Sequence, residues 1–377
     1  MIYSANFSSK AFVIFVAIMF YLSGCGQKNG LPMNSAHDSL QAENKILIAV
    51  FPFHNASGVP SPLNDMRQLF LDSFKEYGVN ILEDNVLETF MIDNRIRYVG
   101  GVDLATARDL KWKTGAEAVL ITTLELYSEE PPPKIAFVSR LVSTGNDPTI
   151  LWMDGIGLAG DDSIGLLELS LIKDPRKLLQ NVVRDLTASL TAYLSGREDR
   201  GKSMEGSIRL WPSLYHRSPI FDSTIKYRVA VAPFLQLSER RNAGNIMALH
   251  FVRLLRAIGS FSVIEPGLVR DTFLQYRIIM DDGLSLAQAD ILFSKLDADL
   301  ILAGKIFDYQ DYVGLFGRAK VDFSALLIER KSREVVWSCE SHHVGDEGVF
   351  FFDWGKIHTA HKMASGMVVS ALETLVE

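Results

Sequence analysis

Gly155-Ile-Gly157-Leu-Ala-Gly160 is the first stretch whose residue types and spacing could do chemistry. Read literally, it is the glycine fingerprint that lets a dinucleotide pyrophosphate approach a helix N-terminus. That chemistry needs the glycines between the first strand and first helix of a βαβ unit. Here they follow the last strand of a hairpin, so a turn is expected and no cofactor. The histidines His342, His343, His358 and His361 raise the possibility of a metal. Positions 358 and 361 would share a helix face, with Asp346, Glu347 and Asp353 near in sequence. No carboxylate-rich or cysteine-rich ligand set accompanies them, so surface histidines and no metal site are expected, beyond a weak adventitious one. Glu83 and Glu265, and Arg95 and Arg277, recur as pairs near element ends, where caps and ion pairs are commoner than catalysis. Neither Gly-x-Ser-x-Gly nor a phosphate loop is present, and no Ser-His-Asp set emerges from spacing. No catalytic residue is expected, and the chain reads as not an enzyme.

The remaining reactive side chains are two thiols, Cys25 and Cys339. Lys10 is the only charge among the first 24 residues, and an uncharged apolar run from Ala11 to Leu22 follows it. That run is too short to cross a hydrocarbon core of about 30 Å, and a short apolar stretch behind a positive charge is the pattern of a secretory signal peptide. It ends in Leu22-Ser23-Gly24-Cys25, which resembles the lipobox of bacterial lipoproteins. The resemblance implies cleavage before Cys25, with a diacylglycerol on its thiol and an amide-linked acyl chain on its new amino terminus. Two acyl chains already give stable anchoring, so three would be permanent. Gly26 in place of the inner-membrane aspartate implies the outer membrane, facing the periplasm. Cys339 then has no intramolecular partner. It follows Trp337-Ser338 in an apolar strand pattern and reads as a small buried hydrophobe.

The elements that must carry these residues come in two sets. Ile46-Leu-Ile-Ala-Val-Phe-Pro52-Phe53 recurs as Arg228-Val-Ala-Val-Ala-Pro233-Phe234, an offset of 181. At an offset of 182, Glu83, Arg95-Ile96, Gly101, Leu104-Ala105, Leu110, Lys113 and Leu120 recur in order; at 185, Ser139, Trp152 and Gly160-Asp161 do so. Such order implies two copies of one domain. In each copy a buried strand (about 46–52, or 228–234) leads to an amphipathic helix. Met66, Leu69, Phe70, Phe74 and Tyr77 mark it in the first, and Gly78 or Gly259 is expected to stop it. A short strand (79–82, or 261–264), a second helix (about 85–92, or 267–275) and a third (104–114, or 286–296) follow. Asp103 and Ser285 are the expected N-caps of the third. Three strands then run near 118–124, 135–143 and 149–156, and again near 300–306, 319–328 and 334–340. A closing helix carries Leu178, Val182, Leu186 and Leu190, or Met367, Ala371 and Leu375. The expected fold class is α/β: two tandem copies of a mixed-sheet α/β domain with helices packed on the sheet. The expected divisions are a signal peptide (1–24), a flexible polar tether (25–44), a first repeat (45–194), a linker (195–224) and a second repeat (225–377).

The opening Ala49-Val-Phe-Pro-Phe-His-Asn-Ala-Ser57, the later Gly115-Ala-Glu-Ala-Val119 and the closing hairpin resemble the envelope α/β domain at the start of TolB proteins. Similar domains occur in curli-secretion lipoproteins and in lipoprotein activators of penicillin-binding proteins. The resemblance implies partner binding in the cell envelope, without catalytic residues or cofactors in that domain. The second copy departs from the pattern at Leu235-Gln-Leu-Ser238. No pair of segments alternates as a lipid-facing barrel hairpin would, which argues against a channel. A net charge of −7 without a basic stretch argues against nucleic acid, whose affinity comes largely from phosphate neutralisation. The expectation is a lipid-anchored envelope protein that binds a partner protein or organises an assembly. The alternative is an envelope enzyme or small-ligand binder using the cleft between repeats. Phe350-Phe351-Phe352-Asp353-Trp354 reads as an internal cover of the sheet end or a contact patch.

Overall fold

The computed structural model describes residues 46–162, 171–197, 208–311, 318–348 and 355–376. Cys25, the tether and the Phe350–Trp354 cluster lie outside the described residues. In the first repeat, β1 (Ile48–Val50) and β2 (His54–Asn55) precede α1 (Leu63–Glu76), α2 (Asp84–Asp93) and α3 (Leu104–Thr114). Strands β3 (Ala118–Ser128), β4 (Lys134–Ser143) and β5 (Ile150–Ala159) follow, then α4 (Pro175–Leu194). After β6 (Leu214–Arg217) the second repeat runs β7 (Tyr227–Val231), β8 (Leu235–Gln236), α5 (Ala243–Ala257), β9 (Phe261–Val263), α6 (Pro266–Gln275) and α7 (Leu286–Leu296). It ends with β10 (Leu300–Gln310), β11 (Lys320–Glu329), β12 (Val335–Val344) and α8 (Ala360–Val376).

Local chemistry sets these boundaries. Asp103 accepts a hydrogen bond from the Thr106 amide at the start of α3, and Ser285 forms a reciprocal capping box with Gln288 at the start of α7, satisfying N–H groups that the helix itself leaves open. Gly78 ends α1 in the left-handed region at φ 69°. Gly259 does not repeat this: α5 stops at an extended Ile258, and the chain passes directly toward β9. The expected short strand at 79–82 is a single bridge, Ile81 to Ile48.

The sheets carry the duplication in their registers. Parallel pairing sets Ile48 beside Ala118 in one repeat and Val229 beside Leu300 in the other, matching the offsets of 181 and 182. Strands β3, β4 and β5 form an antiparallel meander, as do β10, β11 and β12. The apparent match of Ser139 to Ser324 is corrected by this pairing. Phe137 lies opposite Leu124 and Phe323 opposite Ile306, so β4 corresponds to β11 at an offset of 186 and Ser139 to Ala325. A one-residue slip would turn every side chain to the other face. The linker region contributes β6, which pairs with β12 and extends the second sheet.

Burial patterns show how the layers stack. Strand β4 is buried along nearly its whole length, whereas β11 alternates buried with half-buried positions until its last turn. Helices α1 and α4 cover one face of the first sheet through Phe70, Phe74, Val182 and Leu186 against Phe137, Leu141 and Trp152. The opposite face is shared. Near the start of β3 it meets α2 and α3; further along, Val138 and Met153 enter the core of the second repeat with α5 and α8. Each such buried large apolar side chain contributes about 1.5–3 kcal/mol. Helices α5 and α8 thus lie between the two sheets, and α6 and α7 cover part of the second sheet's other face. Residues Lys45–Glu377 form one compact unit. No described helix is long and apolar enough to cross a membrane.

Candidate functional site

The seam between the repeats gathers most of the buried polar chemistry. Arg140 on β4 and Glu265 at the N-cap of α6 are both fully buried and make a two-pronged ion pair, with Nε–Oε2 at 2.9 Å and Nη2–Oε1 at 2.8 Å. Nη2 also donates to the Gly100 carbonyl at 2.8 Å. Burial works against the charge of Arg140, but Glu265 beside it outweighs that and holds the guanidinium above its usual range. The pair Glu83 and Glu265 therefore differs in role. Both are N-caps, as their position at element ends implies, but Glu265 also joins the repeats. Arg95 and Arg277 each follow a helix in the left-handed region, at φ 53° and 50°, which agrees with a helix-ending role.

About the β3 end of the same seam, Glu125, His250 and His361 come together from three elements and both repeats. Glu125 sits at a β-bulge, where the β3–β4 register shifts between Leu124 and Leu126. Bulges re-aim side chains, and this one directs Glu125 into the interface, 1% exposed. The matching bulge in β10 leaves Phe307 facing solvent. Glu125 Oε2 lies 2.5 Å from His361 Nδ1 and 3.6 Å from His250 Nε2. His250 Nε2 is 3.3 Å from the Tyr309 hydroxyl, and its Nδ1 is 3.3 Å from Ser365 Oγ. Arg240 donates to the Glu125 backbone carbonyl and stacks over the Tyr309 ring, while Arg253 donates to Ser365. Burial alone would raise the Glu125 carboxyl, yet His361, His250 and Arg240 around it bring it down to about 2. Burial pushes His250 well below the ordinary imidazole range.

The expected glycine turn is corrected here. Gly155 and Gly157 lie within β5, on the face that α8 covers. A Cβ on Gly157 would come within 2.7–2.9 Å of three His361 ring and stem atoms, and one on Gly155 within 3.3 Å of Arg253 and His361. Their smallness admits the second repeat, not a pyrophosphate. The histidines divide differently from the sequence expectation. His361 is in α8, whereas His358 precedes that helix and pairs with Asp161 at 2.9 Å. His342 and His343 are surface partners of Asp322 and Glu347. The expectation of no ligand set around His361 missed Glu125 and His250, which lie far from it in sequence. Cys339 is buried on β12 as expected, and burial pushes its thiol up to about 12.

A cavity of about 290 Å³ completes the seam, at the C-terminal end of β7. There α5 and α6 leave on opposite faces of the sheet, the usual position of ligand crevices in α/β folds. Val231, Ile246, Leu249 and Val269 line its apolar side, and His54, Tyr98 and Arg270 its polar side. The Arg270 guanidinium lies 3.8 Å over the Tyr98 ring.

No family model and no curated relative matches the chain. Among solved structures, a PelC dodecamer from Paraburkholderia phytofirmans is similar at 17% identity and TM-score 0.30, over 43% of this chain and 96% of that one. Lipoprotein GNA1162 from Neisseria meningitidis is similar at 20% identity and TM-score 0.27, over 38% and 98%. The LpoB C-terminal domain from Salmonella enterica is similar at 14% identity and TM-score 0.24, over 33% and 87%. The similarity is partial, at low identity, and is not specific to the TolB or curli type.

Proposed function

We propose that this chain is a non-catalytic envelope lipoprotein, anchored through Cys25, that binds a partner protein on an exposed sheet edge. One observation carries the partner-binding reading. Strand β6 ends the second sheet, and among the described residues no strand pairs with its outer side. Leu214, Tyr215 and neighbouring Trp211 are 62%, 55% and 49% exposed there. Unpaired strand edges template the addition of another strand, and exposed clustered aromatics are typical of contact patches. A photo-crosslinking residue at Tyr215 is expected to capture one partner in intact cells, and Leu214→Asp to reduce that capture several-fold. Equal capture from Asp109 on α3 would count against the edge as the docking site. The second reading, a small-ligand binder, is favoured by the cavity at the seam. Ligand-induced protection of Tyr98 and Arg270, without partner capture at β6, would select it.

The anchor rests on the amino-terminal pattern ending in Leu22-Ser23-Gly24-Cys25. Cys25→Ser is expected to move the protein from membranes to the soluble fraction and to abolish labelling by a fatty-acid probe. Unchanged labelling would refute lipidation at that residue.

A further inference from the structure

Glu125, His250 and His361 each offer one donor atom, and these atoms lie within 4.8 Å of one another. We propose that they form a binding site for a divalent transition-metal ion, zinc(II) by donor type, that staples the two repeats together. Two imidazoles and a carboxylate are among the donor sets that zinc takes, at about 2.0–2.2 Å each. Donors on such a shell stand roughly 3.2–3.6 Å apart, and the separations from Glu125 Oε2 are 2.5 and 3.6 Å. Shifts of about an ångström would admit the ion between them.

Three further observations point the same way. Glu125 Oε1 is buried and has no hydrogen-bond partner, a costly vacancy for a carboxylate oxygen that bidentate ligation would fill. Ser365 Oγ lies against Nδ1 of His250, where it can accept that N–H and leave Nε2 free to ligate, the usual outer support of a metal-bound histidine. The Tyr309 hydroxyl, 3.3 Å from His250 Nε2, is a further oxygen beside the site. Arg240 and Arg253 oppose a cation at this point. Asp154 and Glu125 carry the opposite charges that offset them. Binding replaces the hydrogen bond between His361 Nδ1 and Glu125 Oε2.

The test uses the full chain, stripped by a chelator and titrated with Zn²⁺. One equivalent is expected to bind, the melting temperature to rise with saturation, and Co²⁺ to give the visible absorption of a four- or five-coordinate nitrogen and oxygen site. Glu125→Gln and His250→Asn should each weaken binding at least tenfold. A His342→Ala, His343→Ala double variant removes the surface pairs and should leave binding unchanged. Absence of a stoichiometric Zn²⁺ in the unaltered protein overturns the proposal. So does loss of binding in the surface variant with the buried variants unaffected. Stoichiometry and the Co²⁺ spectrum are read on the unaltered chain, so a variant that fails to fold does not shield the idea.

Discussion

Glu265→Ala is expected to destabilise the folded chain by about 3–5 kcal/mol, the cost of leaving a buried charge without its partner. Arg140 is fully enclosed between the repeats, and its Nη1 already lacks a hydrogen-bond partner. Removing the carboxylate leaves the guanidinium only the Gly100 carbonyl. The same substitution takes away the cap on the Gly267 amide, which adds about 1 kcal/mol to the loss. Replacing both partners, as Arg140→Leu with Glu265→Leu, should recover most of the stability, because an apolar pair of similar volume avoids the desolvation of two ions. Denaturant midpoints at constant slope measure both variants. A single variant within about 1 kcal/mol of the parent would show that the pair contributes little to holding the repeats together.

Gly267→Ala is expected to have an effect of similar size, about 3 kcal/mol, through overpacking. A Cβ at that position would stand 2.3 Å from the Val102 amide nitrogen and 2.4 Å from its carbonyl oxygen. These are backbone atoms, which cannot rotate away. A Cβ on Gly101 would meet the same approach from the other side, 2.8 Å from the Gly267 Cα. A methyl group must therefore push α6 away from the Gly100–Val102 loop, stretching the Arg140–Glu265 pair beside it. Gly259→Ala is the control, since nothing lies within 4 Å of its would-be Cβ; it should be neutral or slightly stabilising. Equal melting temperatures for the two variants would refute the tight approach.

The elements were legible in the sequence where local physics dominates. The third helix of each repeat falls on the expected residues because Asp103 and Ser285 cap it and Gly115 or Asp297 ends it in the left-handed region. The seam was not legible, because its residues are bland one at a time. His250 lies on the buried stripe of α5, and Glu125 in a strand whose bulge no composition reveals. A signal existed in the comparison of the copies. By the same offsets Leu69, Asp72 and Arg176 stand where the second repeat has His250, Arg253 and His361, and Phe307 where the first has Glu125. Matched positions whose polarity or charge changes, in elements that otherwise agree, mark where one copy meets the other. The Ser139 match misled because a coincidence of residue type outweighed a register that only the pairing reveals.

The stacking of helix pair on sheet has a consequence for valence. A two-fold arrangement would have consumed the same patch on both copies and left twin surfaces behind. Here the first repeat gives up a sheet face and keeps its outer helix pair, α1 and α4. The second gives up its helix pair and keeps a half-open sheet face and the β6 edge. Duplication has therefore produced one body with two dissimilar ends, in which a surface offered at one end is not repeated at the other.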